Sequence, residues 1–236
     1  MSDADDPSRA WLEARLSARP GAPPTADVTV GLDALELGDP PRDGLVHIPA
    51  GYRHDRPAPL LVMLHGATGN ARHAVRSLLD EADERGFVLL APDSRATTWD
   101  VIAGGYGPDI AFLDRALEKV FGMCAVDPQR IALAGISDGA SYALSVGITN
   151  GDLFTHVIAW SPGFVAPRGQ NGMPKVFISH GAQDPILPID ACSRRIAPGL
   201  HQAGYDVRYL EFDGGHTVPP EIAAESLRWF VENDDD

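Results

Sequence analysis

Apolar residues fall along this chain in two rhythms. In the first they form short, nearly continuous runs of strand length, at residues 59–64 (PLLVML), 86–90, 130–136 (RIALAGI), 155–160, 175–179 (KVFIS) and 206–212. In the second they recur at helical spacing: Ala74, Leu78, Leu79 and Ala82 within 70–85, and Ile110, Leu113, Leu117 and Phe121 within 109–121. Further helical stretches are predicted over 189–203 and 220–232, and a run of small residues follows Ser137. A strand that is apolar on both faces needs a cover on both faces. Strands of that kind alternating with helices predict an α/β fold: a mainly parallel, doubly wound sheet with helices on both faces. In such sheets ligands bind beyond the carboxyl ends of the strands, so functional residues are sought just after a strand.

The first 25 residues read differently. Asp6 can cap a helix, Pro7 suits its first position, and Trp11, Leu12 and Leu16 fall near one face, which predicts a short helix over 6–19. The Pro-rich RPGAPPT at 19–25 reads as a linker. Residues 1–25 are thus expected to be a helical appendage and linker, and 26–236 a single domain opened by an antiparallel pair near 26–32 and 44–48.

Composition narrows the functional classes. The 236 residues carry a formal charge of −14, which argues against nucleic acid as a partner, because phosphate binding needs a basic face. Two cysteines, Cys124 and Cys192, make no disulfide framework. With no apolar leader in the acidic N-terminus and no long apolar run, the expectation is a soluble, cytoplasmic protein without membrane association. The acidic 232–236 tail reads as a solvated end.

The chemistry is concentrated where the 130–136 strand meets the following helix. Gly135-Ile136-Ser137-Asp138-Gly139 has the pattern G-x-S-x-G between a strand and a helix, a sharp turn in which glycines relieve crowding and the serine hydroxyl is exposed. A serine hydroxyl needs a general base, and that base needs an orienting group. Of eight histidines, His47, His54, His73, His156 and His201 lie in strands or helices and read as surface or packing residues, whereas His216 follows the last strand on a glycine-rich loop. Asp184 follows the 175–179 strand on another such loop; Asp190 and Asp213 compete for the same role. Ser137, Asp184 and His216 stand in the order nucleophile, acid, base. Backbone N–H donors to an oxyanion are expected from Asp138 and, on the loop His65-Gly66-Ala67 after an early strand, from Ala67. The Asp138 carboxylate, beside the nucleophile, is expected to turn away from that oxyanion.

With these features in place, LHGATGN, PDSRATTWD, GISDGASYALSVG, AWSPGF, HGAQDPILP and FDGGHTVP resemble the α/β-hydrolase superfamily. They are similar to its phospholipase/carboxylesterase group and to polyhydroxybutyrate-depolymerase-like and feruloyl-esterase-like proteins. The resemblance implies that Ser137 is acylated, that His216 shuttles the proton under the orientation of Asp184, and that water releases the acid. Residues 161–174 are too few for the helical cap of many lipases, so the site is expected to be open and to take short-chain or otherwise accessible esters. Trp99, Tyr106, Trp160 and Phe164 are pocket candidates, with ordinary loop packing as the alternative for each; Asp100 and Asp109 read as loop-fixing residues. No metal spacing and no phosphate-binding loop is present, and no cofactor is implied. The expected partner is a small-molecule ester, with a thioesterase, a small peptidase or a non-catalytic binding protein of the same fold as alternatives.

Overall fold

A computed structural model describes residues 13–21, 28–38 and 42–232. Eight strands form one sheet: β1 (Gly31–Ala34), β2 (Gly44–Ile48), β3 (Ala58–Leu64), β4 (Val88–Pro92), β5 (Val126–Ile136), β6 (His156–Trp160), β7 (Lys175–Gly181) and β8 (Val207–Phe212). Their order is β1-β2-β4-β3-β5-β6-β7-β8. β1 and β2 are antiparallel to their neighbours, and β4, β3, β5, β6, β7 and β8 run parallel.

The alternation of side chains along a strand explains the continuous apolar runs. Leu60, Val62 and Leu64 of β3 enter one hydrophobic layer, with residues of α4 (Pro108–Met123), α5 (Asp138–Thr149) and α6 (Ser193–Gln202). Leu61 and Met63 enter the other, with α1 (Ala71–Val75), α2 (Leu79–Arg85) and α7 (Pro220–Val231). A further short helix, α3 (Asp100–Ala103), lies between β4 and α4. This is the α/β-hydrolase fold without a large cap: residues 161–174 between β6 and β7 hold no helix.

Two expectations differ from the structure. The single helix predicted over 70–85 is two, α1 and α2, separated by a turn in which Leu78 N donates to Val75 O at 2.8 Å. Ala71, Val75, Leu78 and Ala82 keep one helical phase across the break, so the apolar pattern carries no mark of it. The helix expected over 6–19 is not helical in its described part, 13–19; Trp11 and Leu12 lie outside the described residues, as does most of the Pro-rich stretch.

Residues 14–18 instead run against the domain, with Ala14 and Leu16 buried in its core. Leu16 N donates to Asn150 Oδ1 at 2.9 Å, and Asn150 Nδ2 donates to Ala14 O at 2.7 Å. Ser17 N and Ala18 N both donate to Asp114 Oδ1 at 2.8 Å. Arg15 forks onto the Asp152 carboxylate at 2.9 and 3.0 Å. A helix would need these backbone groups for itself; Asn150 and Asp114 take them, so the segment is not helical.

Candidate active site

The parallel register brings five strand ends to one edge. Leu64 pairs with Gly135, Ile136 with Trp160, Trp160 with Ser179, and Gly181 with Phe212. Residues 65–67, Ser137, Asp184 and His216 each follow one of these ends within four residues.

Ser137 has φ 57° and ψ −120°, a left-handed conformation that costs a non-glycine residue on the order of 1–3 kcal/mol. Its neighbours enforce it. A Cβ on Gly135 would stand 2.2 Å from Gly139 O, and one on Gly139 would stand 2.4 Å from Leu64 O and 2.5 Å from His65 O. Strand and helix therefore approach more closely than any side chain permits, and the chain must turn within one residue. Ser137 N donates to Trp160 O at 2.9 Å, while Ser137 O accepts from Ala140 N at 3.0 Å and Ser141 N at 3.1 Å, which fixes the turn from both sides. The serine itself is half-buried.

The β8 loop meets the β7 loop through a second close approach. A Cβ on Gly181 would lie 2.2 Å from Gly215 O. Ala182 N donates to Phe212 O at 2.8 Å and Gln183 N to Gly214 O at 2.9 Å, so the two loops run together. Within them His216 Nδ1 donates to Asp184 Oδ2 at 2.6 Å. The other carboxylate oxygen, Oδ1, accepts from Ile186 N and Leu187 N, each at 2.9 Å. Burial works to raise the Asp184 carboxyl, but Leu187 N–H, His216 and Ile186 N–H outweigh it and hold the group below the usual carboxylate range. The two competing acids are engaged elsewhere: Asp190 with Arg194 at 2.8 Å, and Asp213 with Gln183 Nε2 at 2.6 Å.

The β3 loop lies beside the serine, since a Cβ on Gly66 would stand 3.4 Å from Ser137 Cβ. Asp138 is the first residue of α5, and a helix supplies no acceptor for its first N–H groups. Ala67 is exposed on the loop, and among the described residues its N–H donates to no backbone acceptor. The Asp138 carboxylate is turned to Thr98, whose hydroxyl donates to Oδ2 at 2.6 Å.

Residues to which the sequence assigned no such role hold this loop in place. His65 is buried and the pKa of its imidazole is lowered, chiefly by burial and further by the Arg42 charge, against the Gly66 carbonyl that favours the cation. Its Nδ1 donates to Gly66 O at 2.7 Å, and its Nε2 accepts from Ser94 N at 3.0 Å. Arg42 reaches from before β2 to Gly69 O at 3.0 Å and Ser94 O at 2.5 Å. From the β4–α4 segment, Thr97 O accepts from Thr68 N at 2.7 Å, and Trp99 Nε1 donates to His65 O at 2.9 Å.

That segment is stitched by Asp100 and Asp109. Asp109 accepts from Arg95 N at 2.5 Å and Asp100 N at 2.6 Å; Asp100 accepts from Gly107 N at 2.9 Å and Tyr142 OH at 3.0 Å. Burial pushes the Asp109 carboxyl up to about 6. Asp100 and Asp109 thus fix the loop as the sequence led us to expect, and for His65 the sequence signal is that a His-Gly pair follows or ends a strand twice, at 65–66 and at 180–181.

The four pocket candidates part company. Trp160 lines a cavity of about 470 Å³ whose wall also includes Gly66, Ala67, His216, Leu78 and Val218. Trp99 and Tyr106 lie in the core instead: Trp99 stacks on Tyr142 with ring centroids 5.0 Å apart, and Tyr106 OH donates to Ala166 O at 2.7 Å. Phe164 is half-buried on the 161–174 segment, outside that cavity wall. Among the described residues there is no cluster of three or more His, Cys, Asp or Glu side chains suited to a metal, and no helix long and apolar enough to cross a membrane.

No family model matches the chain. Feruloyl esterase C of Emericella nidulans is 25% identical over 219 residues, covering 79% of this chain and 80% of that protein. Acyl-protein thioesterase 1 of Gibberella zeae is 31% identical over 106 residues, 40% of this chain and 44% of that protein. The structure of FphF, a fluorophosphonate-binding serine hydrolase of Staphylococcus aureus, superposes with a TM-score of 0.70 at 15% identity, covering 86% of this chain and 99% of that one. The fold is that of the α/β-hydrolase superfamily, and the chain is related to feruloyl-esterase and other esterase families.

Proposed function

We propose that the protein is a serine hydrolase that cleaves carboxylic esters through an acyl-enzyme, with Ser137 as nucleophile, His216 as general base, and Asp184 as the group that orients His216. The observation that carries this reading is the strained Ser137 backbone at the same sheet edge as the Asp184–His216 pair. Strain of this kind persists where the surroundings over-determine it, and here it falls on a serine at a helix start.

The steps follow from the proton inventory. His216 Nδ1 carries the hydrogen given to Asp184, so a neutral ring has its lone pair on Nε2. Ser137 Oγ bonds to the ester carbonyl carbon as its proton passes to Nε2, and the carbonyl π electrons move to oxygen. The N–H groups of Ala67 and Asp138 receive that oxyanion. As the carbonyl re-forms, the C–O bond to the alcohol breaks, and the departing oxygen takes the proton from Nε2. Water then repeats the sequence on the acyl-serine, giving the carboxylic acid and free Ser137. Losing one oxyanion donor typically costs about 10²- to 10³-fold in rate.

The cavity beside His216 bears on substrate class. Its wall is largely apolar, with Met63, Leu78, Trp160 and Val218, which suits a short acyl chain or one aryl group. Together with the likeness to feruloyl esterases, this puts aryl-acyl esters beside short-chain esters in a substrate panel. The local likeness to an acyl-protein thioesterase supports a second reading, hydrolysis of thioesters by the same groups. Oxygen esters and thioesters of one acyl group, compared by kcat/KM, separate the two.

The direct test is a fluorophosphonate probe. Wild type is labelled and Ser137→Ala is not; a folded wild type that takes no label overturns the proposal.

A further inference from the structure

Asp184 has a second histidine against it. His180, in β7, lies with its Nε2 2.8 Å from Leu187 O and 3.3 Å from Asp184 Oδ2, and both side chains are wholly buried. Both neighbours are acceptors, so the proton is on Nε2. Its Nδ1 is then a lone pair, and Ser193 Oγ, 2.7 Å away, donates its hydrogen there. Ser193 is the first residue of α6 and is itself buried. One oriented chain therefore leads from the Ser193 hydroxyl through the His180 imidazole to Leu187 O, and the same Nε2 stands 3.3 Å from Asp184 Oδ2, the oxygen that also receives His216.

The same ring ties the β7 loop closed. Leu187 gives its N–H to Asp184 Oδ1 and takes the His180 N–H on its carbonyl, so the 184–187 turn is held at both ends. We infer that His180 is a positioning residue: with Ser193 it fixes the 184–187 turn and through it locks the Asp184 carboxylate in the rotation that serves His216, with its Nε2–H edge beside Oδ2. This rests on the reading of Ser137, Asp184 and His216 given above. The ionisable groups around His180 are Asp184 and His216, the Cys192 thiol before α6, and Glu211, its cross-strand partner in β8, which is paired with Arg194 at 2.6 Å.

Two consequences distinguish this role from packing alone. Without the His180 N–H the Leu187 carbonyl loses its donor and the carboxylate rotates more freely; with no N–H dipole beside Oδ2, it also attracts a protonated His216 more strongly. Turnover then falls, and the rising limb of kcat/KM against pH moves to higher pH. For His180→Leu with a small activated ester we expect kcat about 10- to 100-fold lower, KM within about threefold, and the limb displaced upward by about half a pH unit. His180→Gln carries an N–H at similar reach and restores most of kcat and the limb. Ser193→Ala, which frees the ring to turn, shifts both in the direction of His180→Leu, by less.

If His180→Leu does not fold, Ser193→Ala and His180→Gln decide the matter. Wild-type kcat and pH limb in folded His180→Leu, or in Ser193→Ala where the leucine variant is unfolded, overturn the inference. So does a His180→Gln no better than the leucine variant or, where that variant is unfolded, a His180→Gln no more active than Ser193→Ala. Fluorophosphonate labelling of wild type and its loss in Ser137→Ala report separately on the reading beneath it.

Discussion

Asp184→Asn is the substitution for which the surroundings dictate the outcome most completely. The amide has one oxygen and one NH2 group to place where the carboxylate had two acceptors. Oδ1 faces the N–H groups of Ile186 and Leu187, both at 2.9 Å, so the amide oxygen must stay there. The NH2 group is then forced into the Oδ2 position, toward His216 Nδ1, with His180 Nε2 3.3 Å from that position. Two donors would oppose each other, and His216 relieves this by moving its hydrogen from Nδ1 to Nε2. An imidazole with Nε2 protonated cannot take the Ser137 proton. The equivalent wrong-tautomer change in another serine hydrolase lowers kcat by about 10⁴, or about 5.5 kcal/mol at 1.36 kcal/mol per decade. The assay is kcat on a p-nitrophenyl ester, with Asp213→Asn as the control and thermal unfolding to confirm the fold. Among the described residues Asp213 takes a side-chain hydrogen bond from Gln183, and it is exposed, so its variant should stay within about twofold of wild type. An Asp184→Asn enzyme within tenfold of wild type, or a dead Asp213→Asn, refutes the reasoning.

Leu16 and His156 give two tests of the fold. Leu16 is 2% exposed in the core, so Leu16→Ala should cost about 2–5 kcal/mol in chemical denaturation, whereas a residue on a detached appendage would cost under about 0.5. His156 lies edge-on to Trp229 and Phe230, and burial, followed by Lys175 and Arg130, lowers its pKa to about 4. The unfolded chain takes up this proton near pH 6.5 and the folded one only near 4, so the stability is present above 6.5 and is lost as pH falls through that interval. The loss reaches on the order of 3 kcal/mol. Urea unfolding of wild type and His156→Gln at pH 7, 5 and 4 should show wild type losing its advantage by that order; a constant difference would rule the account out.

The parallel sheet is legible in the sequence because burial on both faces leaves a continuous apolar run, as in 59–64, that few other structures explain. The ends of those runs then direct attention to Ser137, Asp184 and His216. Residues 14–18 depart from the expected helix for a physical reason. The spacing that includes Leu16 is a local helix signal, and over 14–18 it loses to Asn150 and Asp114, which lie more than 90 residues away and claim that backbone. The break between α1 and α2 leaves no trace because both halves keep their apolar face on the same layer.

The groups that hold the candidate site are harder to see than the groups proposed to react, and the difference has a cause. A residue that meets substrate must stand at a strand end on a turn, and the turn requires glycines, so Gly135, Gly139 and Gly181 mark its place by the close approaches they permit. A residue that supports the site needs only one hydrogen bond to a backbone group, which any of several side chains could supply from anywhere in the chain. Trp99 illustrates this. An aromatic residue on a carboxyl-end loop can face substrate or turn inward, and an indole N–H needs a partner once it is buried. That partner is the His65 carbonyl, whose residue also bonds Gly66 O and Ser94 N, so the indole braces the loop that carries Ala67 and leaves the cavity wall to Trp160.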